Sequence, residues 1–192
     1  MKPITGFKSE AANSAGYEML PKGLYIGIIK DVRLEGSEPD QQIVFRIEIT
    51  EGEYAGYYTA RYKAETENGS KYTVRYKGDY RLQIPAEANS KRQHFDWDLK
   101  TFNGAIWAIE DSNDGYHWDW NEHGLKGKAI GINVRQGEYN GSPFTRIGRL
   151  ESVKQIRAGK VKLMRDLAPK SDAAEPAYPA GLTAVEDVEI PF

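Results

Sequence analysis

At 192 residues, 40% hydrophobic and 28% charged, the chain is long enough for one cored domain plus a tail, and its composition is that of a globular protein. It has no cysteine, which excludes disulfides and thiolate metal sites, and no apolar run approaches the ~20 residues of a membrane-spanning helix. The formal charge of −2 divides unevenly: residues 166–192 hold six acids and one lysine, leaving 25 bases against 22 acids before them, so a +3 body carries a −5 tail.

The first 20 residues, small and polar with no apolar signal core, read as a flexible segment of a soluble, cytoplasmic protein. Gly23 to Leu34 alternates as a strand, with Leu24, Ile26, Ile28, Lys30 and Val32 on one face. After turn residues 36–40, a second strand sets Ile43, Phe45, Ile47 and Ile49 inward and Val44, Arg46 and Glu48 outward. The Gly52-Glu53-Tyr54-Ala55-Gly56 turn then leads to an expected third strand, Tyr57 to Ala64. Asn68-Gly69 is a hairpin signal between two near-copies, YTARYK from Tyr58 and YTVRYK from Tyr72, which predicts an inserted hairpin.

Leu99, Phe102, Ala105, Ile106 and Ile109 have helical spacing, with Asp96 or Asp98 as a cap, and the helix stops at Asn113-Asp114-Gly115. Two more strands follow, one burying Ile130, Ile132 and Val134 and one running from Phe144 through Ile156. Between them Gly137-Glu138-Tyr139-Asn140-Gly141 echoes the earlier turn. Three strands, a helix and two strands predict a mainly β OB-fold: a five-stranded Greek-key barrel over residues 21–165, with one helix between strands 3 and 4. Other small barrels share this order. Residues 166–185, rich in Ala, Pro and acids, read as a disordered linker.

The last seven residues are Glu186-Asp187-Val188-Glu189-Ile190-Pro191-Phe192. Acids steer such a peptide towards basic surfaces, and an aromatic ring beside an α-carboxylate suits an apolar pocket with a cation at its rim. This ending resembles the acidic tip of bacterial single-stranded DNA-binding proteins, matching at Glu186, Asp187, Glu189, Ile190, Pro191 and Phe192, while Val188 interrupts the acidic run. The body is similar instead to proteins encoded by phages and mobile elements of Gram-positive bacteria, through EGEYAGYY, FNGAIWAIEDSNDGYHW, LKGKAIG and QIRAGKV. The resemblance implies a protein that coats single-stranded DNA during replication, recombination or repair in a bacterial host cell. It also implies recruitment of partner proteins through the tip and a possible homo-dimer, because such proteins often multiply their barrels.

Single-strand binding without sequence readout needs cations for phosphates and flat rings on which bases stack. The chain interleaves both. On the second and third strands of an OB-fold, the candidate residues are Arg46, Tyr57, Arg61, Tyr62, Lys63, Tyr72, Arg75, Tyr76 and Lys77, with Arg146 and Arg149 from the last strand. Tyrosines are also common as half-core residues on β-surfaces. Trp107 beside the helix stripe reads as packing, Trp97 fits either side, and one of Trp118 and Trp120 is expected in the core.

Nothing points to an enzyme, a cofactor or a metal. His94, His117 and His123 are the only histidines, and no P-loop, nucleophile elbow or dinucleotide glycine pattern occurs. The alternatives are an OB-type protein-interaction module, or an RNA or duplex binder.

Overall fold

Alternating β-branched and aromatic residues build five strands: β1 (Gly23–Glu35), β2 (Gln42–Ile49), β3 (Asp79–Gln83), β4 (Ala129–Tyr139) and β5 (Ser142–Glu151). Three helices accompany them: α1 (Tyr57–Glu67), α2 (Phe95–Ser112) and the short α3 (Val153–Arg157). This computed structural model describes residues 18–67, 74–89, 91 and 94–170. The Asn68-Gly69 hairpin signal, Tyr72, residues 171–185 of the expected linker and the 186–192 tip lie outside the described residues. Among the described residues no helix is long and apolar enough to cross a membrane.

The strands form one antiparallel sheet in the order β3-β2-β1-β4-β5. The predicted closure into a barrel is corrected: β3 and β5 are the two edges, and the sheet is open between them. β3 has only five residues against ten in β5, and arginines from both strands line the gap, so pairing these edges would bring like charges together. α2 packs across the sheet, burying Phe102, Ala105, Ala108 and Ile109. Leu99, expected in that stripe, is exposed. His94 takes the N-cap position, and Asp96 and Asp98 sit in the first turn, where the helix dipole favours them.

The third predicted strand is instead α1. Two features outweigh the β preference of its tyrosines. Ala60, Arg61, Lys63, Ala64 and Glu65 are good helix formers, and the Glu48 carboxylate receives the first-turn amides of Tyr58 (3.0 Å) and Thr59 (2.7 Å). The strand place passes to Asp79–Gln83, and the second near-copy, through Lys77, belongs to no strand among its described residues. The two GEYxG turns therefore diverge. Asn140 accepts φ +49° and Gly141 φ +76°, closing the β4–β5 hairpin at the Tyr139–Ser142 pair. Ala55 stands where Asn140 does in the echo, and the first turn opens into α1.

Two burial patterns also depart from simple alternation. In β1 the fully buried residue is Ile29, and Ile28 is only partly covered. The register then shifts between Ile29 and Asp31, and this bulge returns Val32 to the core. In β2, Val44 and Glu48 are buried with the predicted inward set, because both sheet faces are covered there. The last predicted strand stops at Glu151, and Ser152 caps α3 by accepting from Gln155 N.

Past residue 165 the chain still contacts the body. The Asp166 carboxylate pairs with Lys22 (2.9 Å), which holds it below its usual range, and Leu167 and Lys170 donate to the carbonyls of Gln136 and Glu138. At the other end Leu20 is fully buried. A close approach at Gly27 gives a direct test: a Cβ there would collide with the Glu48 carbonyl oxygen. Gly27→Ala should cost about 1–3 kcal/mol or more, because backbone rather than a side chain must yield. Urea unfolding would show this as a lower midpoint.

Candidate nucleic-acid interface

The open gap between β3 and β5 is a groove of about 600 Å³. Six cations line it: Arg33 from β1, Arg46 from β2, Arg75 and Lys77 before β3, Arg81 from β3 and Arg146 from β5. Among the described lining residues two carboxylates, Glu35 and Asp79, oppose them. Asp79 receives Arg33 at 2.8 Å and Arg46 at 3.1 Å, while Glu35 receives Arg33 at 2.8 Å and Arg81 at 3.2 Å. These pairs orient three guanidinium groups. Among the described residues Arg75, Lys77 and Arg146 pair with no carboxylate.

Two tyrosines form the aromatic part. Tyr76 is anchored: its hydroxyl donates to Glu48 Oε2 at 2.9 Å, and the Arg46 guanidinium lies 5.0 Å from its ring centroid. Burial pushes its phenol well above the ordinary range, so it stays protonated and keeps donating. Tyr62, from α1, packs against it with centroids 5.8 Å apart and keeps 39% of its surface exposed. One fixed ring thus supports a second, open ring on the groove wall.

Beside the groove, β4 and β5 place Arg135 directly opposite Arg146. Like charges in register are unfavourable in a sheet. The Nε of Arg135 is buried and has no hydrogen-bond partner among the described residues, and burial together with the Arg146 charge lowers the affinity of this guanidinium for its proton. An anion between the two arginines would relieve both costs.

Six of the residues picked from the sequence therefore meet in one groove: Arg46, Tyr62, Arg75, Tyr76, Lys77 and Arg146. Four do not. Tyr57 is a core residue whose hydroxyl receives Leu20 N at 3.0 Å and donates to the Glu18 carbonyl at 2.8 Å. Arg61 points at that same hydroxyl and at Glu65 (2.7 Å), Lys63 is exposed on α1 outside the groove, and Arg149 is held by Glu151 (2.6 Å). The misplacement of Tyr57, Arg61 and Lys63 follows from reading α1 as a strand, since a helix sends these side chains around its axis instead of to two faces. Sequence reasoning missed Arg33, Arg81 and Arg135. Arg33 faces the groove because of the β1 bulge, and Arg81 because β3 lies later in the chain than expected.

The tryptophans separate clearly. Trp97, Trp107 and Trp120 are exposed, and Trp118 is partly buried against the core. Trp107, read as packing, is corrected to a surface residue.

No family model matches this chain, and comparison with curated proteins finds no match.

Proposed function

We propose that this chain is a single-stranded DNA-binding protein of OB type, whose groove between β3 and β5 takes the strand. The observation that carries the reading is the meeting of six cations and an open tyrosine in one groove. Phosphates would lie along Arg75, Lys77 and Arg146, and a base would stack on Tyr62. The sheet order supports the OB reading: β3-β2-β1-β4-β5, with α2 between the third and fourth strands, is the order of a small Greek-key barrel opened between β3 and β5. The opening exposes the groove of about 600 Å³ to solvent, where a nucleic acid chain would enter.

The deciding experiment is titration with oligo-dT at several salt concentrations, followed by Tyr and Trp fluorescence, with RNA and duplex competitors. Affinity that falls with salt and prefers the single DNA strand supports the reading. Absence of binding at low salt overturns it in favour of an interaction module, and preference for RNA or duplex reassigns the ligand.

Tyr62→Ala should weaken oligo-dT binding by about 1–3 kcal/mol, the usual worth of one stacked base, with little change in salt slope. Unchanged affinity would remove Tyr62 from the interface. The tip adds a second function. Deleting Glu186 to Phe192 should leave DNA affinity equal or slightly higher, because three carboxylates that compete for the groove, Glu186, Asp187 and Glu189, are lost. Recruitment of replication and recombination proteins should disappear. Loss of DNA affinity on this deletion would contradict the division between groove and tip.

A further inference from the structure

A second surface differs from the groove in both shape and sign. Between Thr101 and Leu125 the chain carries five carboxylates and neither lysine nor arginine. Here α2 and the loop after it enclose a shallow groove of about 240 Å³, walled by Phe102, Ile106, Trp107, Trp118, Trp120 and Glu110. Trp118 and Trp120 pack at 4.7 Å between ring centroids, and Trp120 lies nearly parallel to Phe102, at 22°.

The loop is built to hold this arrangement. Trp118 N donates to Glu110 Oε1 (2.8 Å), Trp118 Nε1 donates to the Asn121 carbonyl (3.1 Å), and Asn121 N donates to Asp119 (3.2 Å). Trp120 takes φ +68°, a region that bulky side chains rarely occupy. Its indole nevertheless stays 75% exposed, and Trp107 beside it is 52% exposed. This backbone lays one face of the indole on Phe102 and leaves the rest of the ring in water. Such strain collects where a chain binds something, and exposed aromatic patches with a polar rim mark interaction surfaces.

Charge selects the occupant. Glu110 forms one wall, and Asp119 and Glu122 follow in the same loop, whereas Asp111 and Asp114 are engaged by Ser152 and Lys154. A DNA backbone would meet carboxylates here. So would residues 171–192 of this chain, which hold five acids and no base. A second copy docking by the same face would oppose like charges across a two-fold axis. A cationic segment meets none of these penalties, and arginine gains further by stacking on indole.

We propose that the Trp107–Trp120 face docks a basic segment of another protein, with one large apolar side chain in the groove and an adjacent Arg or Lys on Glu110. This site is independent of the DNA-binding reading. Selection of a random twelve-residue peptide display library on the full-length protein tests it. The expected peptides place Arg or Lys beside Trp, Phe, Leu or Met. Trp107→Ala and Trp120→Ala should each weaken the selected peptides at least about tenfold. Glu110→Gln keeps the acceptor for Trp118 N but removes the charge, and should weaken them severalfold and reduce their salt dependence. Oligo-dT affinity should be unchanged in all three variants. Failure to enrich any peptide, or a consensus without cations, would overturn the proposal. So would self-association that Trp107→Ala abolishes, or a loss of oligo-dT affinity in that variant. If Trp120→Ala fails to fold, the Trp107→Ala and Glu110→Gln results alone decide.

Discussion

Replacing Arg75 and Arg146 together with glutamine should weaken oligo-dT binding by roughly two orders of magnitude at low salt, since hydrogen bonds to charged groups are worth about 1.5–3 kcal/mol each. Both side chains line the groove and neither pairs with a carboxylate among the described residues, so little of their charge is offset before DNA arrives. Single-stranded DNA releases close to 0.7 counterions per neutralised phosphate, so losing two contacts should lower the slope of log K against log salt by about 1.4. Arg61→Gln and Lys63→Gln supply the control. Arg61 is committed to Glu65 and Tyr57, and Lys63 lies outside the groove, so both variants should bind almost as the natural protein does. Fluorescence titration at four salt concentrations separates the cases. Equal slopes for the groove and control variants would remove the groove from the binding path.

The second large effect concerns stability. Glu48 is 6% exposed, yet its carboxylate accepts from the amides of Ile49, Tyr58 and Thr59 and from the Tyr76 hydroxyl. It thereby joins β2, the start of α1 and the anchored ring of the groove. Glu48→Ala leaves several of these donors buried without a partner, at about 1–3 kcal/mol each. A total loss of about 3–5 kcal/mol is expected after partial relaxation, or roughly 10 °C in Tm for a domain of this size. Glu48→Gln should recover part of it, because an amide oxygen can still accept while its NH2 faces other donors. Tyr76→Phe removes the hydroxyl that donates to Glu48 and also meets Thr59 Oγ1, and should cost about 1–3 kcal/mol. Thermal unfolding checks all three. A Glu48→Ala Tm within about 2 °C of the natural protein, less than the shift expected for 1 kcal/mol, would show that water replaces the carboxylate.

Strands with clean apolar patterns were legible from the residues alone. Ile43, Phe45, Ile47 and Ile49 in β2, and Ile130, Ile132 and Val134 in β4, are buried as their alternation requires. α2 was legible for the same reason at a period of 3.6. The candidate site was half legible, because composition marks where cations and rings concentrate but not which way they point. Arg46, Arg75, Tyr76, Lys77 and Arg146 meet in the groove, whereas Tyr57 turned inward because its hydroxyl satisfies Leu20 N and Glu18 O from outside its own segment.

Amino-acid order by itself determined the strand segments β1, β2, β4 and β5, the long helix, the connector between β4 and β5 and the separation of a basic body from an acidic end. Each rests on contacts between near neighbours or on side-chain period, which a linear chain already contains. Tertiary structure settled the helix at Tyr57–Glu67, where helix formers and β-preferring tyrosines compete, and it decided that a bulge at Ile29–Asp31 turns β1 over and that the β3 and β5 edges stay apart. The helix depends on a carboxylate ten residues away in β2, and the face of β1 on a register shift. The groove depends on arginines brought together from four strands. These are long-range electrostatic and hydrogen-bonding choices between conformations of nearly equal local propensity, which local pattern by itself does not settle.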